Sequence, residues 1–204
     1  MAGNMPLAPR FPSDIWKRHA IVAFAPGSRF EYSNVSYGVL GQVVSDVTRK
    51  PLNKAANELV FQRLSMTRTA LYPSIARMPR VAVGYSRRER LRGYPIAPEG
   101  AAGFSASARD LARFGMLHAE VPGCSLSSVN TDALRKSHRA PFYAYGWGKI
   151  DANGREAFLS NGEVEGGRAD ILVVPQNRIV IVIAQIQPQV HRTRMNSHLR
   201  LPIG

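Results

Sequence analysis

The 204-residue sequence contains a single cysteine, Cys124, which excludes an internal disulfide framework and a cysteine-based structural zinc site. It also lacks a long apolar run, because the longest, Ile179 to Ala184, falls far short of the roughly 20 residues needed to span a bilayer. The first residues, Met1 to Pro6, show neither a basic start nor an apolar stretch, so no secretory signal is visible. The sequence therefore predicts no membrane span and leaves the cellular compartment open.

Acidic residues are scarce as well. The sequence has 27 Lys and Arg but only 14 Asp and Glu, which gives a formal net charge of +13. Basic residues are densest from Arg87 to Arg92 and in the tail from His191 to Arg200. Such runs can neutralise phosphates, but no aromatic residues are interleaved with them as a base-stacking platform requires. We therefore expect solvated segments, and nucleic-acid binding is disfavoured.

With 45% hydrophobic and 20% charged residues, the chain has enough apolar material to form a core. Apolar residues recur at spacings of three and four in three stretches, which predicts helices. The first begins at Ser33 or Asn34, either of which is a natural N-cap. The second runs from Leu52 to Leu64, after Pro51 at a position where a first helical residue is tolerated, and Ser107 caps the third. Their apolar positions include Val35, Val39, Leu40, Val43, Val44 and Val47 in the first helix, and Leu111, Phe114 and Leu117 in the third.

The last third of the sequence changes to the pattern of strands. Strands are predicted over residues 156–159, 169–174 and 178–186, with a turn at Gly166-Gly167. The short connection Pro175-Gln176-Asn177 makes the last two strands an antiparallel hairpin. Residues 67–105 are rich in Gly, Pro and Arg, which indicates loops with short strands around Val81 to Val83. Helices followed by strands predict an α+β fold.

No metal, cofactor or phosphate-binding motif is present in the sequence. None of the five histidines pairs with another at the i, i+4 spacing of a helical zinc site. Neither a glycine-rich dinucleotide pattern nor a Walker pattern occurs, and a Gly-x-Ser-x-Gly nucleophile elbow is missing. We therefore propose no metal site and no cofactor.

Four segments occur in an order that resembles one family. They are Phe24-Ala-Pro-Gly-Ser-Arg-Phe-Glu-Tyr-Ser-Asn34 running into Tyr37-Gly-Val-Leu-Gly41, then Leu64-Ser-Met-Thr-Arg-Thr69, then residues 102–114, and finally Gly146-Trp-Gly148 with the strands from Phe158 to Ile186. They resemble the serine β-lactamase and penicillin-binding-protein superfamily, in particular its class C β-lactamase and esterase branch. The resemblance covers residues 20–186.

The resemblance implies acyl transfer through a covalent serine ester, with a β-lactam, an ester or a D-Ala peptide as substrate. In that family the serine of a Ser-x-x-Lys motif is the nucleophile, and the tyrosine of a Tyr-x-Asn motif is a base or proton shuttle. Tyr32 and Asn34 match the second motif. A tyrosine has a pKa near 10, so it acts as a base only where nearby cations favour the phenolate.

The sequence departs from the family at the nucleophile. None of the five lysines has a serine three residues before it, so no Ser-x-x-Lys motif exists in this chain and the nucleophile is unknown. In relatives that motif lies upstream of Tyr-x-Asn, so we expect the chain to lack the N-terminal part of the fold. The third family motif, Lys-Thr-Gly or His-x-Gly, corresponds to Ser160, Asn161 and Gly162, of which only the glycine is kept.

The expected fold is therefore a β-lactamase/transpeptidase-like α+β domain, with a helical region followed by a C-terminal antiparallel sheet. Residues 1–19 are expected to be an irregular segment, 20–186 a partial β-lactamase-related domain, and 187–204 a basic polar tail. Relatives are often exported, but the compartment of this chain stays unknown.

The singled-out residues also have simpler interpretations. Tyr32 can be a half-buried aromatic at the start of a helix with Asn34 as its cap, and we favour Ser160 as a turn residue over a relocated nucleophile. Arg168 can bind a substrate carboxylate or be an exposed strand arginine. Cys124 is expected to be an inert loop thiol.

Four hypotheses on function follow from the sequence. The first is a β-lactamase-related serine hydrolase that is inactive as this chain, because the nucleophile motif is absent. The second is a non-catalytic protein that binds peptidoglycan-like or acyl ligands in the cleft that is the active site in the family. Its positive charge would suit ligands that carry a carboxylate. The third is a fragment that needs a complementing chain, which predicts oligomerisation through an unpaired strand at Ile179 to Ile183. The fourth, nucleic-acid binding, is the disfavoured one.

Overall fold

The computed structural model describes residues 24–25, 28, 31–71, 81–86, 89–91, 100–120, 143–164 and 166–186. The expected irregular segment 1–19, the basic tail 187–204 and Cys124 lie outside these ranges. Within them, helices come first and a sheet follows, which confirms the predicted α+β class.

The first helix, α1 (Asn34–Thr48), begins where the sequence predicts. The Ser33 hydroxyl accepts the backbone N–H of Ser36 at 3.1 Å, so Ser33 is the N-cap and Asn34 is the first helical residue. The helix ends at Arg49, whose left-handed φ of 53° stops the helical repeat.

The apolar stripe of α1 is exposed. Val47 is 79% exposed, and the buried positions of the helix are the glycines Gly38 and Gly41. Backbone packs closely there, because a Cβ added at Gly100 would lie 2.5 Å from the Tyr37 carbonyl oxygen. The prediction of an apolar helical stripe is confirmed, but this stripe does not form the core. Its exposed members are Val35, Leu40, Val43, Val44 and Val47.

The predicted second helix is shorter than expected. After Pro51, an α-helix, α2 (Leu52–Ala56), changes into a π-helical turn over Asn57–Phe61. The Gln62 N–H donates to the Asn57 carbonyl at 2.9 Å, a bond across five residues that widens the turn. The prediction of one helix reaching Leu64 is therefore wrong. The wide turn buries Phe61, whose ring lies 5.7 Å from that of Phe104.

Two small antiparallel pairs occupy the stretch that the sequence indicated to be loop. Strand β1 (Thr69–Leu71) pairs with β4 (Phe104–Ala106), and β2 (Tyr85–Ser86) pairs with β3 (Glu89–Arg90). Residues 81–84 are not in a strand, so the predicted strand around Val81 to Val83 is wrong by a few residues. The basic run at 87–92 contributes β3 and is not entirely loop.

The third helix, α3 (Ala108–Glu120), packs against the sheet. The Ser107 hydroxyl accepts the Asp110 N–H at 3.2 Å, which confirms the predicted cap. Leu111 and Phe114 pack against the core, as the sequence predicts. Gly115 permits the close approach, since a Cβ there would lie 2.6 Å from Cγ1 of Val180.

The sheet has five antiparallel strands in sequence order. These are β5 (Tyr143–Ala144), β6 (Trp147–Asp151), β7 (Glu156–Val164), β8 (Gly167–Val174) and β9 (Ile179–Gln185). A 3-10 turn at Pro175–Asn177 joins β8 to β9, which confirms the predicted hairpin, and Gly166 with φ of 81° forms the predicted turn before β8. The first predicted strand is longer than expected, because β7 continues from Leu159 to Val164.

The core lies between α3 and one face of this sheet. It consists of Trp147, Phe158, Ile171 and Val173, all buried. Paired residues of neighbouring strands share a face, and Phe158 is paired with Val173. Phe114 stacks on Trp147 with ring centroids 6.3 Å apart. The opposite face of the sheet is more exposed.

Candidate functional site

The Tyr-x-Asn segment lies at the N-terminus of α1, where Tyr32 and Asn34 contact each other. The Tyr32 hydroxyl donates a hydrogen bond to Oδ1 of Asn34 at 3.2 Å. Tyr32 is 63% exposed, so the alternative interpretation of a half-buried aromatic is wrong, and the cap is Ser33 instead of Asn34. Because Oδ1 is occupied, the Asn34 amide offers its N–H donors, which are suited to a substrate carbonyl.

A second tyrosine, Tyr143 of the sheet, contacts the ring of Tyr32. The Tyr143 ring in β5 lies 6.2 Å from the Tyr32 ring, with the two planes at 75°, an edge-to-face contact. Burial, followed by the side-chain hydrogen bond with Tyr37, raises the pKa of Tyr143 above the ordinary phenol value. Tyr143 is therefore neutral at physiological pH, and Tyr37 and Tyr143 connect α1 to the sheet.

The sequence assigned no role to Tyr37 or Tyr143. Tyr37 follows Asn34 by three residues, a spacing that places both on neighbouring positions of one helix face. That signal was available in the sequence. Tyr143 offered no such signal, because more than 100 residues separate it from Tyr32 in the sequence, and the two rings meet only in the folded structure.

The segment Ser160-Asn161-Gly162 lies inside β7, where Ser160 pairs with Ile171 and Asn161 with Asp170. The interpretation of Ser160 as a turn residue is therefore wrong. Strand alternation puts Ser160 on the face of Ile171, which packs under α3, and Asn161 on the opposite face. A strand position is compatible with a third-motif remnant, which stays a prediction.

The structure does not bring the two predicted motifs into direct contact. Among the described residues, no side-chain hydrogen bond or ring contact joins Tyr32 or Asn34 to the segment 160–162. The described part of the chain also shows no hydrogen-bond partner for the Ser160 hydroxyl. Ser160 therefore has no described group that would activate it as a nucleophile.

Two cations of the sheet are already paired with carboxylates. Nε and Nη2 of Arg168 each lie 2.9 Å from an oxygen of Asp170, and Glu163 lies 3.6 Å from Nη1. The hydrogen bond to Asp170 raises the pKa of the Arg168 guanidinium. Lys149 forms an ion pair with Glu156. Arg168 is therefore engaged by the chain's own carboxylates, which weakens its hypothetical role in binding a substrate carboxylate.

Within the described ranges, no group of three or more His, Cys, Asp or Glu is arranged to hold a metal ion. None of the helices in this part of the chain is long and apolar enough to cross a membrane.

Comparison with known proteins gives the family. The chain is 26% identical over 192 residues to protein flp of Staphylococcus aureus (strain NCTC 8325 / PS 47), covering 87% of this chain and 37% of that protein. Its fold is similar to that of a class C β-lactamase from Rhodobacter sphaeroides, with a TM-score of 0.63, 19% identity, and coverage of 79% and 56% of the two chains. An octameric penicillin-binding protein homologue from Pyrococcus abyssi has a TM-score of 0.70 and 19% identity, covering 89% of this chain and 44% of that one.

The chain thus spans between about a third and about half of the length of these relatives. The two solved structures show the same mixed fold of helices and antiparallel sheet, which confirms the predicted architecture. The Beta-lactamase family model matches residues 12–200, nearly the whole sequence. The chain belongs to the Beta-lactamase family.

Proposed function

We propose that this chain binds acyl ligands of the β-lactam or D-Ala peptide type at the Tyr32–Asn34 pair, and that it forms no acyl-enzyme by itself. The observation that supports the proposal is the 3.2 Å hydrogen bond from Tyr32 to Asn34 at the exposed start of α1. The pair presents the N–H donors of the Asn34 amide, which can donate to a carbonyl or a carboxylate, and the Tyr32 phenol oxygen, which can accept from an N–H of the ligand.

The missing nucleophile motif supports the second half of the proposal. No lysine of the chain follows a serine at the Ser-x-x-Lys spacing, and Ser160 has no described activating group. Without an activated nucleophile, only ligand binding and weak residual effects remain. The net charge of +13 favours ligands that carry a carboxylate.

The proposal is tested by intact mass and by binding. Purified protein is incubated with a reactive penicillin and with a fluorophosphonate ester, and saturable binding of the penicillin is measured by calorimetry. We expect no covalent adduct and binding that weakens about fivefold in Tyr32→Phe, because the hydrogen bond that orients Asn34 is worth about 1 kcal/mol. Tyr85→Phe is the matched control, because Tyr85 is also exposed but is not part of the Tyr32–Asn34 pair. We expect it to keep wild-type affinity.

Two results would contradict the proposal. A stoichiometric adduct on a serine would make the chain an acyl-transfer enzyme, with Ser160 as the first position to map. If the folded protein shows no saturable binding, the Tyr32–Asn34 pair is not a ligand site.

A complementing polypeptide is a second candidate function, and the exposed apolar stripe of α1 favours it. An apolar helix face of this kind is usually covered by another element, and Val47 and Leu40 are each more than half exposed. We propose that a separate helix bearing a serine nucleophile packs there, next to Tyr32. Co-expression with the Ser-x-x-Lys half of a class C β-lactamase should then yield β-lactam hydrolysis that Val43→Lys abolishes. Hydrolysis that is absent, or that resists Val43→Lys, would contradict this candidate.

A further inference from the structure

The ring of Tyr32 is not fixed by the helix that follows it. Ser33 is the N-cap of α1, and Tyr32 precedes that cap. Among the described residues, the Tyr32 side chain has one hydrogen bond, to Asn34, and one ring contact, with Tyr143. The hydrogen bond joins residues only two positions apart, so it does not fix the pair relative to the sheet. The contact with Tyr143 is the one that does.

Tyr143 is itself held by Tyr37 of α1. A side-chain hydrogen bond joins the two phenols, and Tyr143 is only partly exposed. Burial and this bond raise the pKa of Tyr143, so it remains a neutral phenol that keeps the bond at physiological pH. The contacts therefore run without a break from Tyr37 to Tyr143, from Tyr143 to Tyr32, and from Tyr32 to Asn34.

The turn that follows Tyr143 also lies against Tyr37. Tyr145 and Gly146 form a two-residue turn between β5 and β6, with φ of 51° and 86°. A type I′ hairpin turn requires positive φ at both positions, although this conformation is unusual for a residue as bulky as tyrosine. A Cβ added at Gly146 would lie 3.6 Å from Oη of Tyr37. Tyr37 is therefore close to both the Tyr143 phenol and the turn beside it.

We propose that Tyr143 is a positioning residue of the ligand site, whose ring fixes the ring of Tyr32, and through it the Asn34 amide, before a ligand arrives. This inference rests on the proposed function, because it concerns the same Tyr32–Asn34 pair. The edge-to-face contact at 6.2 Å restricts the rotation of the Tyr32 side chain. A side chain that is already ordered loses less entropy on binding, which raises affinity.

The alternative is that Tyr143 only joins the sheet to α1. Its hydrogen bond with Tyr37 would be sufficient for that role, and the contact with Tyr32 would then have no effect on the site. The two roles differ in what the loss of the Tyr143 ring does to Tyr32 in the folded protein. A positioning residue changes the surroundings and mobility of the Tyr32 ring, whereas a purely structural residue changes only the free energy of unfolding.

Fluorine NMR of protein labelled with fluorotyrosine tests the position of the Tyr32 ring without a ligand. The Tyr32 signal is assigned by its loss in Tyr32→Phe. Tyr143→Leu should move this signal to the position of a freely exposed tyrosine, whereas Tyr143→Phe keeps the ring and should retain most of the wild-type shift. Tyr85→Leu, which removes an exposed tyrosine of β2, is the matched control and should leave the Tyr32 signal unchanged. An unchanged Tyr32 signal in folded Tyr143→Leu would overturn the proposal.

Tyr37→Phe provides the same test without removing any ring. It deletes only the hydrogen bond that holds Tyr143, so the Tyr32 signal should move part of the way towards that of an exposed tyrosine. If Tyr143→Leu does not fold, an unchanged Tyr32 signal in Tyr37→Phe would overturn the proposal instead.

Calorimetry with the same penicillin tests whether the position of Tyr32 matters for binding. Tyr143→Leu should weaken binding about fivefold, as Tyr32→Phe does, and the double variant should bind no more weakly than either single variant, because both changes act through Asn34. Additive losses would overturn the proposal, since Tyr143 would then act independently of Tyr32. If the wild type binds no penicillin but the Tyr32 signal moves in Tyr143→Leu, the proposed function is wrong, whereas the effect of Tyr143 on Tyr32 is confirmed.

Discussion

Thr69 of β1 and Asp110 of α3 are joined by a hydrogen bond from the threonine hydroxyl to Oδ2 at 3.0 Å. The same oxygen accepts the backbone N–H of Arg68 at 2.7 Å, and Oδ1 accepts Nη1 of Arg113 at 3.0 Å. Asp110 is 1% exposed, so these donors replace water around its carboxylate. This buried carboxylate holds α3 to the small β1–β4 pair.

Replacing Asp110 with Asn should destabilise the protein by about 3 kcal/mol, since a neutral amide brings N–H groups towards donors that need an acceptor. Urea unfolding followed by tryptophan fluorescence measures this change. Asp46→Asn is the matched control, because Asp46 is exposed and accepts one side-chain hydrogen bond from Gln42. Equal midpoints for the Asp110 and Asp46 variants would show that the buried network contributes no stability.

Gly115→Ala should destabilise the contact between α3 and the sheet. The new Cβ would lie 2.6 Å from Cγ1 of Val180, and overpacking of this kind costs about 1 to 3 kcal/mol, more than the helix gains from alanine. Thermal unfolding should show a lower midpoint, which the added substitution Val180→Ala partly restores. Gly162→Ala is the control, since no atom lies within 4 Å of its added Cβ. A Gly115→Ala variant as stable as wild type would contradict the close packing.

Tyr143 should make stability fall at alkaline pH. Burial and the hydrogen bond with Tyr37 raise its pKa in the folded state above the value near 10 of an unfolded phenol. As pH rises above about 10, the unfolded state therefore loses this proton first, and the free energy of unfolding decreases until the pKa of the folded state is reached. Below pH 10 the stabilisation is fully present.

The measurement is the urea midpoint between about pH 8 and pH 11. Tyr143→Phe should lower stability at neutral pH and flatten the decrease above pH 10 relative to wild type. Tyr85→Phe, which removes an exposed phenol from β2, should leave the alkaline slope unchanged. An unchanged slope in Tyr143→Phe would exclude Tyr143 as its source.

The exposed stripe of α1 should bind an apolar dye without adding stability. Val43→Ser combined with Val47→Ser should lower ANS fluorescence while changing the free energy of unfolding by less than about 0.5 kcal/mol, because both side chains are exposed. Val173→Ala, which truncates a fully buried side chain, should cost roughly 2 kcal/mol. Similar losses in the two variants would mean that the stripe is covered in solution.

The sequence predicted the elements with strong local signals. Ser33 and Ser107 were correct caps because their hydroxyls act on backbone N–H groups only three residues away. The hairpin of β8 and β9 was correct because its connection is short. The π-helical turn after Ala56 was missed, because no local pattern marks it in the sequence; in the structure it ends at Phe61, which packs against Phe104.

The candidate site was predicted only in part, because some of its contacts join residues that are distant in the sequence. Tyr32 and Asn34 are two residues apart, so the sequence could pair them without a fold. The Tyr143 ring reaches Tyr32 only after β5 has folded back on β6. Ser160 looked like a turn residue because a glycine follows within two positions, whereas pairing with Ile171 keeps it in a strand.

By itself, the sequence determined the family, the α+β class and the absence of a Ser-x-x-Lys motif, since these depend on residue types and their spacing along the chain. Only the tertiary structure decided which apolar residues are buried. Most valines of α1 and the isoleucines of β9 have the periodicity of core residues, yet they are exposed in the described structure. Periodicity shows that a residue lies on an apolar face, but burial requires a second surface packed against that face.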